Sequence, residues 1–209
     1  MKKQLLQSAC ILLVALAAPF TAHANLIQNG GFETPPVNGS PNYNYRTGTD
    51  LDGWVISSAY RGVVQFGSGY RPVGGGLYSV QIESGINGPN GGPGDSISQA
   101  FATIIGAIYR VTFDLSAYDA GGASLAVSVG GTPLLFSGTN SGYTTHTFLF
   151  TASSLATTLS FTNVGQYGVS YPHLDNIDVE RVPDGGSTLA LLGIALVGVG
   201  AFRRKLGLV

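Results

Sequence analysis

In Tyr109-Arg-Val-Thr-Phe-Asp-Leu-Ser116 a large apolar residue stands at every second position. Tyr109, Val111, Phe113 and Leu115 face one way, and Arg110, Thr112, Asp114 and Ser116 the other, the two-residue period of a strand with one buried face. Working outward, Leu125, Val127 and Val129 repeat the pattern until Gly130-Gly131 breaks it. Thr-Pro-Leu-Leu-Phe136 follows the break, which predicts a hairpin. Further strands are expected over Gly62–Phe66, Leu77–Glu83, Ser96–Thr103, Thr145–Thr151, Thr157–Asn163 and Asp175–Arg181. Leu26-Ile-Gln-Asn-Gly-Gly-Phe-Glu33 reads as the first strand. Residues 34–52 and 84–95, rich in Pro, Gly and Asn, read as long loops of the kind that carry binding sites. No long apolar stripe at helical spacing lies between residues 25 and 182. This pattern predicts an all-β domain, a two-sheet jelly-roll β-sandwich.

The two ends differ from this body. Lys2 and Lys3, the apolar centre Ile11–Ala18 and the small-residue site Ala22-His23-Ala24 have the layout of a secretory signal peptide over residues 1–24. Cys10, the single cysteine, would leave with it, so disulfides and cysteine metal sites are excluded from the mature protein. At the other end Val182-Pro183-Asp184-Gly185-Gly186 leads into an apolar run over 187–202, closed by Arg203, Arg204 and Lys205. As a helix that run spans roughly 24 Å. It is expected to be a short transmembrane helix with a cytoplasmic basic stop. The sandwich domain is thereby bounded at 25–181 and the tail at 182–209.

Between the two ends lie ten acids and five arginines, a net of −5, and no lysine. Such a body lacks the basic patch that nucleic acid requires, so no nucleic-acid partner is expected. Catalytic patterns are absent as well. His146 and His173 have no metal-ligand spacing, no Gly-x-Ser-x-Gly elbow precedes a helix, and Gly91-Gly-Pro-Gly94 lacks the lysine of a phosphate loop. The expectation is a non-catalytic protein.

Several phrases, in order, resemble the choice-of-anchor C family, relatives of galactose-binding-like carbohydrate-binding modules. They are Asn25-Leu-Ile-Gln-Asn-Gly-Gly-Phe-Glu33, Gly53-Trp-Val55, Gly76-Leu-Tyr-Ser-Val-Gln-Ile82, Ile97-Ser-Gln99, Tyr109-Arg-Val-Thr-Phe113, Phe148-Leu-Phe-Thr-Ala152, Thr158-Leu-Ser-Phe161 and Leu174-Asp-Asn-Ile-Asp178. The tail resembles the PEP-CTERM sorting signals, in the variant whose turn reads Val-Pro-Asp-Ser-Gly, with Gly185 in place of the Ser. The first resemblance implies the jelly-roll architecture, with Trp54 in its core. The second implies export by the general secretion machinery of a Gram-negative bacterium that makes exopolysaccharide. It also implies transient anchoring in the inner membrane, recognition by an exosortase, and a final place at the cell surface or in the extracellular matrix of a biofilm.

Two sites are expected in the body. Asp175, Ile177 and Val179 fall on one face of a regular strand, so an acid would point inward and require donors or a cation. Modules similar to this one hold a structural Ca²⁺ where the first and last strands meet, and Glu33 and Asp175 occupy matching positions. For sugar, which offers apolar ring faces and many hydroxyls, the candidates are aromatic and guanidinium groups. Tyr43, Tyr45 and Arg46 lie in the first loop, while Tyr60-Arg61 and Tyr70-Arg71 repeat a pair around one hairpin. Tyr118, Tyr143, Tyr167 and Tyr171 stand near other strand ends. The function expected is a non-catalytic exopolysaccharide-binding or matrix module, with a ligand-free structural envelope protein as the alternative and a carbohydrate-active enzyme behind both.

Overall fold

The computed structural model describes residues 24–38, 42–58, 61–71, 73–83, 94–118, 121–166, 168–183 and 185–205. The expected signal peptide, apart from Ala24, lies outside these residues, as do Tyr60, Tyr167 and Asp184. The chain divides after Val182 into a β-unit, Ala24–Val182, and the tail.

The β-unit contains β1 (Tyr43–Arg46), β2 (Val55–Ser57), β3 (Val63–Gly67), β4 (Tyr78–Ile82), β5 (Ser96–Ala102) and β6 (Ile108–Ala117). It continues with β7 (Ala123–Val129), β8 (Leu134–Gly138), β9 (Thr144–Thr151), β10 (Ala156–Asn163) and β11 (Pro172–Arg181). They form two antiparallel sheets, a six-stranded one ordered β1-β3-β4-β11-β6-β9 and a five-stranded one ordered β2-β5-β10-β7-β8. The architecture is a two-sheet β-sandwich.

Its core follows from the alternation in β6. Tyr109, Val111, Phe113 and Leu115 are buried and meet Phe101, Leu125, Leu159 and Phe161 of the facing sheet. Each such side chain taken fully out of water contributes about 1.5–3 kcal/mol. Trp54 is buried against Phe32, 5.5 Å between ring centroids, and Phe161, 6.3 Å. Its indole N–H donates to the Asn29 carbonyl at 3.1 Å.

Three expectations are corrected. Leu26–Glu33 is not a strand but a turn, with Asn29 at φ 53° and Phe32 at φ 57°. The Asn25 side chain replaces part of a ladder, accepting from Val179 N at 3.1 Å and donating to the Ile177 carbonyl at 3.1 Å. Gly30 is required there, because a Cβ would collide with the Ile177 carbonyl. Second, Tyr43–Arg46, read as loop, pairs with β3 as an edge strand. Third, β11 is irregular. Its register with β6 shifts between Asp175 and Asp178, where Asn176 takes φ 49°. This bulge breaks the period-two argument that pointed Asp175 into the core. Asp175 lies opposite Asp114, on the face turned away from the facing sheet, while Ile177 and Val179 enter the core.

In the tail, α1 spans Gly185–Lys205, so Gly185 and Gly186 begin the helix rather than close a turn before it. Arg203, Arg204 and Lys205 lie within its last turn. Among the described residues no helix is long and apolar enough to cross a membrane, so the span expected over 187–202 is not shown.

Candidate functional site

The six-stranded sheet turns one face to the core and carries on the other a continuous set of aromatic and polar side chains. Strand register fixes which residues share this outer face, because side chains of paired residues lie together. Tyr43 pairs with Phe66, Tyr45 with Val64, Val64 with Gln81, Phe66 with Ser79, and Gln81 with His173. His173 pairs in turn with Ser116, and Asp175 with Asp114.

On this face Phe66 is a buried floor, and Tyr70 stacks on it at 5.6 Å with 11° between the planes. Tyr43 reaches Tyr70 at 5.3 Å and meets Tyr45 edge-on at 5.9 Å. The row continues through Arg71, whose guanidinium carbon lies 5.2 Å from the Tyr70 ring centre and 3.9 Å from that of Tyr118. Tyr118 meets Tyr171 edge-on at 5.9 Å. The rings of Tyr45 (48%), Tyr70 (44%) and Tyr118 (42%) are exposed, so the row offers ring surface and guanidinium to solvent. At one end Arg61 donates to the Tyr45 hydroxyl at 3.2 Å and lies over its ring.

Beneath the rings runs a buried polar chain. Gln81 donates through Nε2 to Glu83 Oε1 at 2.6 Å, so its Oε1 faces His173 Nε2 at 2.7 Å as an acceptor. His173 therefore carries its proton on Nε2. Burial pushes His173 down to about 3, with the Arg71 cation adding to the effect, so the ring is neutral. Burial raises Glu83; its hydrogen bond from Gln81 and the charge of Arg61 offset this, and Asp95 adds to it. Asp95 Oδ2 accepts the backbone N–H of Arg61 at 3.1 Å and of Gly62. At the other side of the face, burial raises the Tyr143 phenol, with the Ser79 hydroxyl beside it working against the shift.

The two expected acids are brought together, held by the segment that follows Arg71. Asp175 Oδ2 accepts from Gly74 N at 2.7 Å and Gly75 N at 2.9 Å, and Oδ1 from Asn176 N at 2.7 Å. Glu33 Oε1 accepts from Leu77 N at 2.9 Å and Tyr78 N at 3.1 Å, and among the described residues Oε2 has no hydrogen bond. Burial drives Asp175 up to about 7 despite its three backbone donors, and the Glu33 charge contributes. For a cation the pair offers Glu33 Oε2 outright, and its other oxygens only shared with N–H groups. Among the described residues no cluster of three His, Cys, Asp or Glu is arranged to hold a metal ion.

Of the expected sugar contacts, Tyr43, Tyr45, Arg61, Tyr70 and Arg71 converge on this face. Arg46 does not. It shares the inward side of β1 with Gln65, donating to Gln65 Oε1 at 2.9 Å and to the Pro36 carbonyl at 3.1 Å, and so fastens the loop before β1. Phe66, Gln81 and His173 were missed by sequence reading.

The chain belongs to the DUF642 family, described as a protein of unknown function, which residues 25–180 match. Residues 181–206 match the VPDSG-CTERM motif. No curated protein matches the chain. Among solved structures, a Stig cyclase from Fischerella sp. TAU is similar at 18% identity and a TM-score of 0.58, over 77% of this chain and 98% of that one. A CBM61 module solved with β-1,4-galactotriose is 16% identical over 76% of this chain and 99% of that one, with a TM-score of 0.44. A xylan-binding CBM22-1 domain from Paenibacillus barcinonensis is 11% identical over 68% and 94%, also at 0.44. These likenesses concern the fold.

Proposed function

We propose that the outer face of the six-stranded sheet is a carbohydrate-binding surface and that the chain is a non-catalytic, exported, surface-associated protein. The carrying observation is the row Tyr45, Tyr43, Tyr70, Arg71 and Tyr118, in which exposed rings and a guanidinium alternate over a buried hydrogen-bonded floor. Rings of this kind stack on the apolar faces of sugars, and the flanking donors orient the hydroxyls. The sorting motif supports a working place outside the cell. The finer reading is a choice-of-anchor C-like protein, anchored in the inner membrane of a Gram-negative bacterium, processed by an exosortase and delivered to exopolysaccharide or biofilm matrix. A structural Ca²⁺ at Glu33 and Asp175 is proposed with it; a cation there would relieve the mutual repulsion of the two carboxylates.

The test is binding of the full-length protein to immobilised polysaccharides, the host's exopolysaccharide included. Tyr70→Ala and Tyr45→Ala should each weaken binding by up to roughly ten-fold, since a lost aromatic contact costs about 0.5–1.5 kcal/mol. Unchanged affinity in both folded variants places any sugar site elsewhere; uniform failure of the wild type removes the binding reading in favour of a ligand-free structural protein.

A further inference from the structure

The five arginines of the body are not equivalent. Arg46 donates to Gln65 and the Pro36 carbonyl, Arg61 to the Tyr45 hydroxyl, and Arg110 pairs with Glu180. Arg71 has ring contacts instead. Its guanidinium lies over Tyr118 and beside Tyr70, and its Nε is buried with no hydrogen-bond partner. Among the described residues it makes no hydrogen bond or ion pair.

The acids that share or border the face do not supply the missing partner. Asp175 is turned into Gly74 N and Gly75 N, and Asp114 accepts from Thr145 Oγ1 and Asn176 Nδ2. Asp95 holds the Arg61 and Gly62 amides, and Glu83 receives Gln81. Each carboxylate has donors from its own surroundings, while the cation in the middle of the row has none. Burying the Nε–H without an acceptor is costly, and the terminal nitrogens, which are not buried with it, are the donors left for an arriving acceptor.

The rings also fix the geometry of that acceptor. Contact with Tyr118 at 3.9 Å and Tyr70 at 5.2 Å restricts the guanidinium, so less side-chain freedom is lost on binding. A planar guanidinium fork matches a carboxylate, which accepts two parallel hydrogen bonds, better than it matches single hydroxyls.

We infer that Arg71 reads a carboxylate on the ligand and that the face takes an acidic, uronate-bearing polysaccharide. The inference rests on the carbohydrate-binding reading above and adds the charge of the ligand to it. Tyr70 and Tyr118 stack the sugar rings on either side while Arg71 engages the carboxylate between them.

Dissociation constants of the full-length protein would be measured for oligosaccharides of galacturonate, glucuronate and mannuronate, each against its neutral methyl ester. At least one acid should bind roughly ten-fold tighter than its ester, the usual worth of a charge-assisted pair. Arg71→Gln should abolish that ratio, lowering affinity for the acid by more than affinity for its ester. Arg71→Lys, which keeps the charge and loses the fork, should retain only part of it. Circular dichroism and Trp54 emission verify that the variants are folded. The inference is overturned if acids and esters bind equally in the wild type, or if the ratio survives in Arg71→Gln; either result leaves the sugar-binding face standing. If the folded protein binds no acid, ester or neutral polysaccharide, the sugar-binding reading itself fails, and this inference with it.

Discussion

His173 and Gln81 stand directly opposite one another in β11 and β4, and their side chains meet at 2.7 Å beneath the aromatic row. The contact joins residues 92 positions apart. It begins a chain that Gln81 passes on to Glu83, so the floor of the face is locked into one hydrogen-bonding direction.

That lock makes stability depend on pH. His173 is held down to about 3 in the folded protein against an ordinary 6.5. Between those values the unfolded chain binds a proton that the folded one refuses. This contribution therefore grows as pH rises through the window, by up to about 1.4 kcal/mol per pH unit. His173→Gln, whose amide can still donate to Gln81 Oε1, should lose it. Thermal melts of the two proteins from pH 3.5 to 7.5 should diverge, with the wild type falling more steeply on the acid side. Parallel melting curves would refute a neutral, buried His173.

Asp175 should act in the opposite sense. Its folded value of about 7 exceeds the ordinary 3.8, so the folded protein holds the proton more tightly. The stabilisation is complete below pH 3.8 and is lost as pH rises through 7. In the His173→Gln background the melting temperature should consequently fall between pH 4 and 7.5. Adding Asp175→Asn should flatten that fall. A melt of His173→Gln that rises with pH across the same interval would contradict the assignment.

Gly30→Ala tests the packing of the opening turn against the last strand. The added Cβ would meet the Ile177 carbonyl, backbone that cannot rotate away. A cost of about 1–3 kcal/mol is expected from such overpacking. The melting temperature should drop by about 2–4 °C per kcal/mol for a domain of this size. Gly131→Ala, in open space, is the control and should change little. Equal melting of the two variants would show that the turn yields.

How much of this was legible in the sequence depends on whether the information is local. The β6 alternation Tyr109, Val111, Phe113, Leu115 could be read because a strand with one dry face repeats every second residue. The edge strand Tyr43–Arg46 could not, since in four residues its tyrosines alternate with Asn44 and Arg46 and neither side is an aliphatic core face. The bulge at Asn176 could not either, because a period-two reading assumes the regularity that a bulge removes, and it turned Asp175 to the wrong face. Tyr43, Tyr45, Arg61, Tyr70 and Arg71 could be singled out from residue type alone as chemistry suited to the proposed sugar surface. Phe66, Gln81 and His173 were not, because what makes them part of the face is register across three strands.

The proposed Ca²⁺ site makes a prediction in which metal and proton compete. Glu33 and Asp175 are near enough for the charge of one to raise the other, and Asp175 reaches about 7 with protons alone. A cation between them would favour the ionised carboxylate and so displace the proton. Millimolar Ca²⁺ should then raise the melting temperature by several degrees at pH 8, in the manner of any ligand that binds only the folded state. At pH 5, where Asp175 is protonated, the same addition should have much less effect. EDTA should reverse the shift at pH 8, and Asp175→Asn should abolish it at both values. Mg²⁺, which demands a tighter octahedral shell, should substitute poorly. A melting temperature indifferent to both Ca²⁺ and EDTA at pH 8 would remove the metal and leave the pair as a clamp for the Gly74–Tyr78 segment, held by the four backbone N–H bonds already seen.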